Sequence, residues 1–293
     1  MCALSTEDRA KPLVSVVIPT CNRAGLLKRA VNSVVGQTYA RLEIIVVDDA
    51  STDNTREIVR GFKDDRIRYL RHDENRGGSA ARNTGVDAAT GQYIAFLDDD
   101  DEWVPQMMQK QLDALQGFDA VLCTCIVNGR SMAKQQPKSV VALEDLKRNP
   151  YAVGGTGVLM ANAPIIKELR FDEQLPIHQD WDLFIRLAQR CDIAYLNEPL
   201  LIYNEGLHDR ITNKRANLTL EQLEPYMRML EKHKSFFGRS WYNRHIASIL
   251  LYGFFKHRPE KAKHLLYTVR RCGVLAVARV LVRRAYQVAA NYA

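Results

Sequence analysis

The stretch YIAFLDDDDEW, from Tyr93 to Trp103, passes from apolar residues directly into four aspartates, Asp98 to Asp101. Adjacent carboxylates repel one another at neutral pH, so the run is either solvated throughout or partly neutralised by a cation. Carboxylate oxygens are the hard donors that Mg2+ and Mn2+ accept. Other residues complement them. Asp49 can accept an N–H from a nucleobase, and Asp98 a ribose hydroxyl. Arg76 and Arg82 carry positive charge, and Gly77-Gly78 lets the backbone approach a ligand closely. Together these groups describe a nucleoside diphosphate held by a divalent ion. Singly, each has a plainer reading: a solvated turn for the aspartates, a surface ion pair for Arg82, a helix-entry hydrogen bond for Asn83, a simple turn for the glycines. The chain has no G-x-x-x-x-G-K-[ST] and no G-x-G-x-x-G, so neither P-loop nor dinucleotide redox chemistry is indicated.

The elements that must hold these groups narrow the choice. VSVVIP (Val14–Pro19), LEIIVVDD (Leu42–Asp49), RIRYLR, YIAFLD and AVLCTCIV read as strands, being short apolar runs rich in β-branched residues. AGLLKRAVNSVV, TREIVRGF and SAARNTGVDAA between them read as helices, the first with Leu26, Leu27, Ala30, Val31 and Val34 at helical spacing. The alternation predicts an α/β fold with a mostly parallel sheet covered on both faces. In such sheets ligands bind beyond the carboxyl ends of the strands. The polar clusters TCNR, DDASTDNT, NRGGSAARN and DDDDEW all fall at those ends. Four strands aiming polar groups at one edge favour a site over four unrelated turns.

Of the 293 residues 46% are hydrophobic and 26% charged, which suits one large globular domain or a domain with an appendage. The cysteines follow no spacing framework. Cys123 and Cys125 lack the second pair that a zinc site needs, so reduced thiols in a cytoplasmic protein are expected. MCALSTEDRAKP has no apolar signal-peptide core, and no run approaches the roughly 18 apolar residues that span a bilayer. The net charge of +7 is concentrated at one end. From Lys256 onward nine Lys/Arg face Glu260 alone, so this segment carries +8 and the first 255 residues carry −1.

The blocks VSVVIPTCNR, IIVVDDASTDNT, NRGGSAARNTG and YIAFLDDDDEW, followed by GGTGVLMANAPIIKELRFDE and HQDWDLFIRLA, resemble in their order those of family 2 glycosyltransferases, over about Val14 to Tyr203. The resemblance implies a GT-A, Rossmann-like catalytic domain over residues 1–215. Its nucleotide-sugar half would span about 14–127 and its acceptor half about 128–215, with a helical, basic extension over 216–293. It further implies that Pro19, Thr20, Asn22, Arg23 and Ser51 line the nucleotide pocket, that Asp49 recognises the base, usually uracil, and that Arg82 approaches base and diphosphate. Asp98, Asp99 and Asp100 match the D-x-D element, with Asp98 toward the ribose and Asp100 on Mn2+ or Mg2+. Gly77, Gly78, Asn83, Asp99, Trp103 and Gln179 fall around the sugar and diphosphate, Trp103 alternatively opening the next helix. Asp180 in HQDWD matches the catalytic base, and His208 after YNEG a histidine that helps hold the metal or diphosphate. Three departures stand out. Ala50 occupies a place that is often glycine, so the turn after Asp49 is expected to differ slightly. Gln179 replaces a commoner glutamate and removes a negative charge beside Asp180. Asp99 adds a carboxylate able to compete for the metal. From the residues alone, Asp180 also reads as an N-cap or salt-bridge partner opening the amphipathic DWDLFIRL.

Family 2 enzymes invert the anomeric centre, which implies that Asp180 takes the acceptor hydroxyl proton as that oxygen attacks C1. The implied donor is a nucleotide-diphosphate sugar, a UDP-sugar first. The implied acceptor is a glycan or lipid-linked glycan in surface polysaccharide, lipopolysaccharide or capsule assembly. Two rivals stay open: a nucleotidyltransferase releasing pyrophosphate, although no Gly-rich loop grips a triphosphate, and a non-catalytic sugar-nucleotide-binding protein. No nucleic-acid partner is expected. In the tail, GVLAVARVLVRRAYQVAA places Leu275, Ala278, Leu281, Val282 and Ala285 on one helical face and Arg279 and Arg283 opposite. It reads either as a helix packing that face on the catalytic domain, or as a basic amphipathic helix. In the second case residues 256–293 would seat the protein peripherally on the inner face of an anionic cell membrane.

Overall fold

The computed structural model describes residues 11–133, 139–148, 155–204, 218–251 and 261–290. Strands β1 (Val14–Thr20), β2 (Leu42–Asp48), β3 (Ile67–Arg71) and β4 (Tyr93–Phe96) lie parallel in the order β3-β2-β1-β4. Every residue of β1 and β2 is buried, as strands covered on both faces require. Pro19 is tolerated in β1 because of where the β4 ladder stops. Val17 O faces β4 and accepts the N–H of Leu97 at 3.1 Å. Pro19, two residues on, turns its donor-less nitrogen the same way, beyond the last β1–β4 pair, Val17↔Phe96.

Helices α1 (Ala24–Val35), α2 (Thr55–Gly61) and α3 (Gly78–Ala88) follow the first three strands. Helix α3 lies directly on β1 at Gly85, where a Cβ would come within 2.3 Å of Val17 Cγ1. At the amino edge of the sheet Glu43 is buried opposite Ser15, whose hydroxyl donates to it at 2.5 Å.

Past β4 the sheet becomes mixed. Strand β5 (Glu102–Trp103) precedes α4 (Met107–Ala114), and β6 (Ala120–Val127) precedes β7 (Arg130–Ser131), β8 (Val140–Val141) and α5 (Leu143–Arg148). A 3-10 turn at Thr156–Val158 leads into β9 (Leu159–Asn162), which inserts antiparallel between β4 and β6. After α6 (Ala163–Leu169) and α7 (Gln179–Ala188), β10 (Ile193–Tyr203) runs parallel to β6. The long ladders are parallel and the antiparallel ones only two or three residues each, so the expected mostly parallel sheet is found, in a single ten-stranded layer.

Two compact units divide the chain. Residues 1–173 with 180–206 form the first and contain the sheet. Residues 174–179 with 207–293 form the second, against an expected boundary at 215. The helical unit comprises α8 (Leu220–Lys232), α9 (Lys234–Phe237), α10 (Arg239–Leu251), α11 (Lys261–Cys272) and α12 (Val274–Ala290). Thr219 and Gln222 close a capping box at the start of α8. Helix α10 packs on α8, α11 and α12, burying Leu223, Met227, Ile246 and Leu250. Arg271 fastens α11 to α8 through Glu224 at 2.6 Å and Glu231 at 2.8 Å.

Candidate active site

Beyond β4 the chain turns, the N–H of Asp101 donating to Asp98 O at 3.1 Å, and the four carboxylates separate alternately. Asp98 and Asp100 keep some access to solvent, with 31% and 11% of their side chains exposed. Asp99 and Asp101 are buried. Asp98 accepts Arg82 Nη2 at 2.5 Å and Thr156 Oγ1 at 3.2 Å. Asp99 accepts Thr20 Oγ1 at 2.8 Å and Arg23 Nη1 at 3.1 Å, and the same nitrogen lies 3.3 Å from Asp100. Asp101 accepts the backbone N–H of Asn204 at 3.0 Å. Burial pushes the Asp99 carboxyl up to about 6, against the lowering pull of Arg23 and Thr20, with the Asp100 charge adding to the rise. Burial acts the other way on Arg23, but Asp99, Asp100 and Asp98 outweigh it and hold the guanidinium above its ordinary value. The aspartate run is neither a solvated turn nor a set of four equal ligands.

The loops after β1 and β2 are stitched together beside it. Asn22, at φ 54°, donates its N–H to Ser51 Oγ at 2.8 Å and accepts the N–H of Thr52 at 2.7 Å. Ser51 N–H donates to Asp48 at 2.8 Å. Asp49 accepts the backbone N–H groups of Arg76 at 2.8 Å and Gly77 at 2.7 Å, one on each oxygen. Gly77 has φ 89°, a conformation L side chains rarely adopt, so glycine is needed where this loop bends into α3.

Asp180 stands in the first turn of α7, where its Oδ1 accepts the N–H of Trp181 at 2.9 Å. Two residues on, the fully buried Asp182 pairs with Arg186 at 2.6 Å. Arg186 also donates to the carbonyls of Leu169 at 2.5 Å and Arg170 at 2.7 Å, so Asp182 is a structural acid. Burial pushes the Asp180 carboxyl up to about 6; the Trp181 N–H opposes this, Asp98 adds to it and Arg82 opposes it. Those contributions place Asp180 within electrostatic reach of the Arg82–Asp98 pair.

Residues 15–162 match the model described as glycosyl transferase family 2. TuaG of Bacillus subtilis (strain 168), a glycosyltransferase named for teichuronic acid biosynthesis, is 43% identical over 203 residues, covering 66% of this chain and 79% of that one. The chain belongs to glycosyl transferase family 2. Solved structures share its fold. S. aureus TarS 1–349 in complex with UDP-GlcNAc superposes with a TM-score of 0.63 at 18% identity, covering 92% of this chain and 71% of that one. Mannosyltransferase PcManGT from Pyrobaculum calidifontis, in complex with GDP-Man and Mn2+, gives 0.61 at 19% identity, covering 94% and 80%.

In this glycosyltransferase, Thr20, Arg23, Arg82, Asp98, Asp99, Asp100 and Asp180 are brought together, with Asn22, Asp49, Ser51, Gly77 and Gly78 in the adjoining loops and helix entry. Three residues expected around the sugar are placed differently. Asn83 is buried, its amide bonding both backbone groups of Phe171 at 2.9 and 2.8 Å and Glu173 at 2.8 Å, so it fastens α3 to the segment after α6. Trp103 is a core residue whose indole N–H donates to Gly157 O at 2.9 Å. It lies in β5 against Leu201 and does not open a helix. Asp99 is turned onto Thr20 at 2.8 Å and Arg23 at 3.1 Å, away from the sugar position expected of it. The Gln179 amide donates to Leu175 O at 2.8 Å. Ala50 has φ 61°, so the turn keeps the left-handed conformation that glycine favours and carries it as strain, where a change of shape was expected. His208 lies outside the described residues.

The most informative residue overlooked in the sequence is His72. It is buried, with Nδ1 2.7 Å from Asp49 Oδ1 and Nε2 2.9 Å from Thr84 Oγ1. The signal was available in strand register: Asp48 pairs with Arg71, so the next residue of each strand meets at the same edge.

Proposed function

We propose that the enzyme transfers a sugar, with inversion, from a UDP-sugar to a glycan or lipid-linked glycan presented at a membrane surface, on the cytoplasmic side, in cell-surface polysaccharide assembly. The observation that carries this reading is the Asp180 carboxyl, raised to about 6 by burial and set near the Arg82–Asp98 pair. A carboxyl in that range is mostly ionised at neutral pH yet basic enough to accept a proton, which suits a general base. Asp180 takes the proton of the acceptor hydroxyl, the acceptor oxygen bonds to C1, and the C1–oxygen bond to the diphosphate breaks with its electron pair leaving on the diphosphate. Arg23 and Arg82 carry the positive charge that steadies that leaving group.

The donor set suits a hard divalent cation. Asp100, with Asp98 beside it, offers the one or two carboxylates that Mg2+ or Mn2+ typically takes when substrate phosphates complete its shell. Among the described residues no group of three His, Cys, Asp or Glu is set to hold an ion. When bound, the cation offsets charge on the leaving diphosphate. The name of TuaG supports the polysaccharide setting, TarS with UDP-GlcNAc the uridine nucleotide, and PcManGT with GDP-Man and Mn2+ the cation. Asp49, held by two backbone amides and next to His72, is the residue we assign to the base N–H. Incubation with Mn2+ and a panel of nucleotide sugars tests the reading without knowledge of the acceptor. Slow release of UDP from one donor is expected. Release of pyrophosphate, or no Mn2+-dependent binding or turnover with any donor, overturns it.

A further inference from the structure

The last helix, α12, has two apolar faces, and the structure uses one of them. Ala276 and Val277 are buried against the helical unit, with Val280 and Leu281 partly buried beside them. The face anticipated as its packing surface is mostly the other one. Leu275 is 76% exposed, Val282 69% and Val274 67%, with Ala278 exposed between them. At about 100° per residue, positions 274, 278, 282 and 275 form one continuous edge, and Arg279 and Arg283, both exposed, form the edge next to it and not the opposite side expected from the sequence. Of Leu275, Ala278, Leu281 and Val282, Leu281 alone turns partly inward.

We infer that this exposed face of α12 is an interfacial surface, on which Leu275 and Val282 enter the headgroup region of an anionic bilayer while Arg279 and Arg283 pair with lipid phosphates. The inference rests on the proposed membrane-borne acceptor for its purpose, and on charge and exposure for its location. Between Lys261 and Ala290 there are seven Lys/Arg and no Asp or Glu. Arg271 is committed to Glu224 and Glu231 within the helical unit. Arg279, by contrast, reaches Ser240 Oγ only at 3.5 Å, the outer limit of a hydrogen bond. Helix α11 shows the same mixture, with Lys263, Leu266 and Arg270 exposed at helical spacing and Leu266 52% exposed. A second copy of the chain is a poorer occupant. A two-fold pairing through this face would set the arginines of one copy close to those of the other. An anionic surface neutralises them, and the bilayer takes up the adjacent leucine and valine. Among the described residues no helix is long and apolar enough to cross a membrane, so such a contact is interfacial.

The test uses the full chain and phosphatidylcholine vesicles with and without phosphatidylglycerol. Wild type should sediment with the anionic vesicles only and be released by high salt. Leu275→Glu/Val282→Glu and Arg279→Glu/Arg283→Glu should each lower vesicle partitioning by about tenfold or more, while Arg60→Glu, an exposed charge reversal elsewhere, should not. Melting temperature and Mn2+-dependent donor hydrolysis in vesicle-free buffer should be unchanged in all of them. The inference is overturned if wild type stays in the supernatant, or if the double variants bind as wild type does. A wild-type dimer that Leu275→Glu/Val282→Glu converts to monomer, without vesicle binding, would assign the face to a second copy instead. Normal vesicle behaviour with no donor hydrolysis in any protein would remove the transferase reading and leave the membrane contact standing.

Discussion

Glu43 enters the sheet at its amino edge and Asp99 leaves it at its carboxyl edge, both withdrawn from water, yet their carboxyl groups move in opposite directions. Burial acts to raise Glu43. Ser15 Oγ at 2.5 Å, Thr90 N–H at 2.6 Å, Thr90 Oγ1 at 2.9 Å and Gly91 N–H at 3.1 Å outweigh it and hold the group below its ordinary value. Asp99 has one hydroxyl and one guanidinium, Asp180 chiefly one backbone N–H, and in both burial prevails at about 6. The difference lies in depth, Glu43 being the less deeply buried group, and in the number of fixed donors. An acid ringed by donors is complete structure. An acid short of them keeps its affinity for a proton that arrives from elsewhere, which is the property a general base requires.

The comparison can be broken at either edge. The largest effect is expected from Asp100→Ala, which should abolish metal-dependent donor turnover with little change in melting temperature; wild-type turnover with Mn2+ would remove Asp100 from the site. Asp180→Asn should lower transfer by roughly 10²–10⁴ while donor affinity, measured by calorimetry, stays within a few fold. Because the base must be ionised, the wild-type rate should climb as pH rises through about 6, and the asparagine variant should lose that inflection. At the amino edge, Glu43→Ala should cost about 3 kcal/mol in urea unfolding by orphaning several donors, with turnover per folded molecule unchanged. The carboxyl shift is downward there. The depressed Glu43 carboxyl stabilises the fold above the ordinary glutamate range and loses that contribution as pH falls through it, so Glu43→Gln should flatten the acid-side fall in melting temperature. The smallest effect is a gain: Ala50→Gly should stabilise by about 0.5–1 kcal/mol in the same urea assay, by relieving a left-handed alanine.

The first four strands and their helices were legible because periodicity and burial agree there. AVLCTCIV is β6 to the residue, and AGLLKRAVNSVV is α1 to the residue. Beyond residue 128 the pattern fails for identifiable reasons. Strand β10 contains Asn197, Glu198 and Pro199, which read as a turn, and its ladder with β6 is irregular on both sides of Pro199. Strands β5, β7 and β8 are two residues long, too short for any alternation to register. Within the site, residue types marked the acids but not their partners. Asp99 and Asp100 are adjacent in sequence, and only the turn beyond β4 separates the buried carboxylate from the accessible one. In α12 the spacing marked one apolar face, and periodicity alone did not show that Ala276 and Val277 would be the buried side.

Gly85 leaves no side chain of its own between α3 and β1, so at that point the two elements meet with only the Val17 side chain between backbones. Such a contact has almost no compressible material in it. Arg82 rides on α3 one turn earlier and grips Asp98. A push on that guanidinium from a docking phosphate would therefore be passed to the strand as if through a rigid strut. The give needed to admit a bulkier donor has to come from the loops, and exchanging the sugar specificity of this enzyme by substitution should be easier there than along the helix.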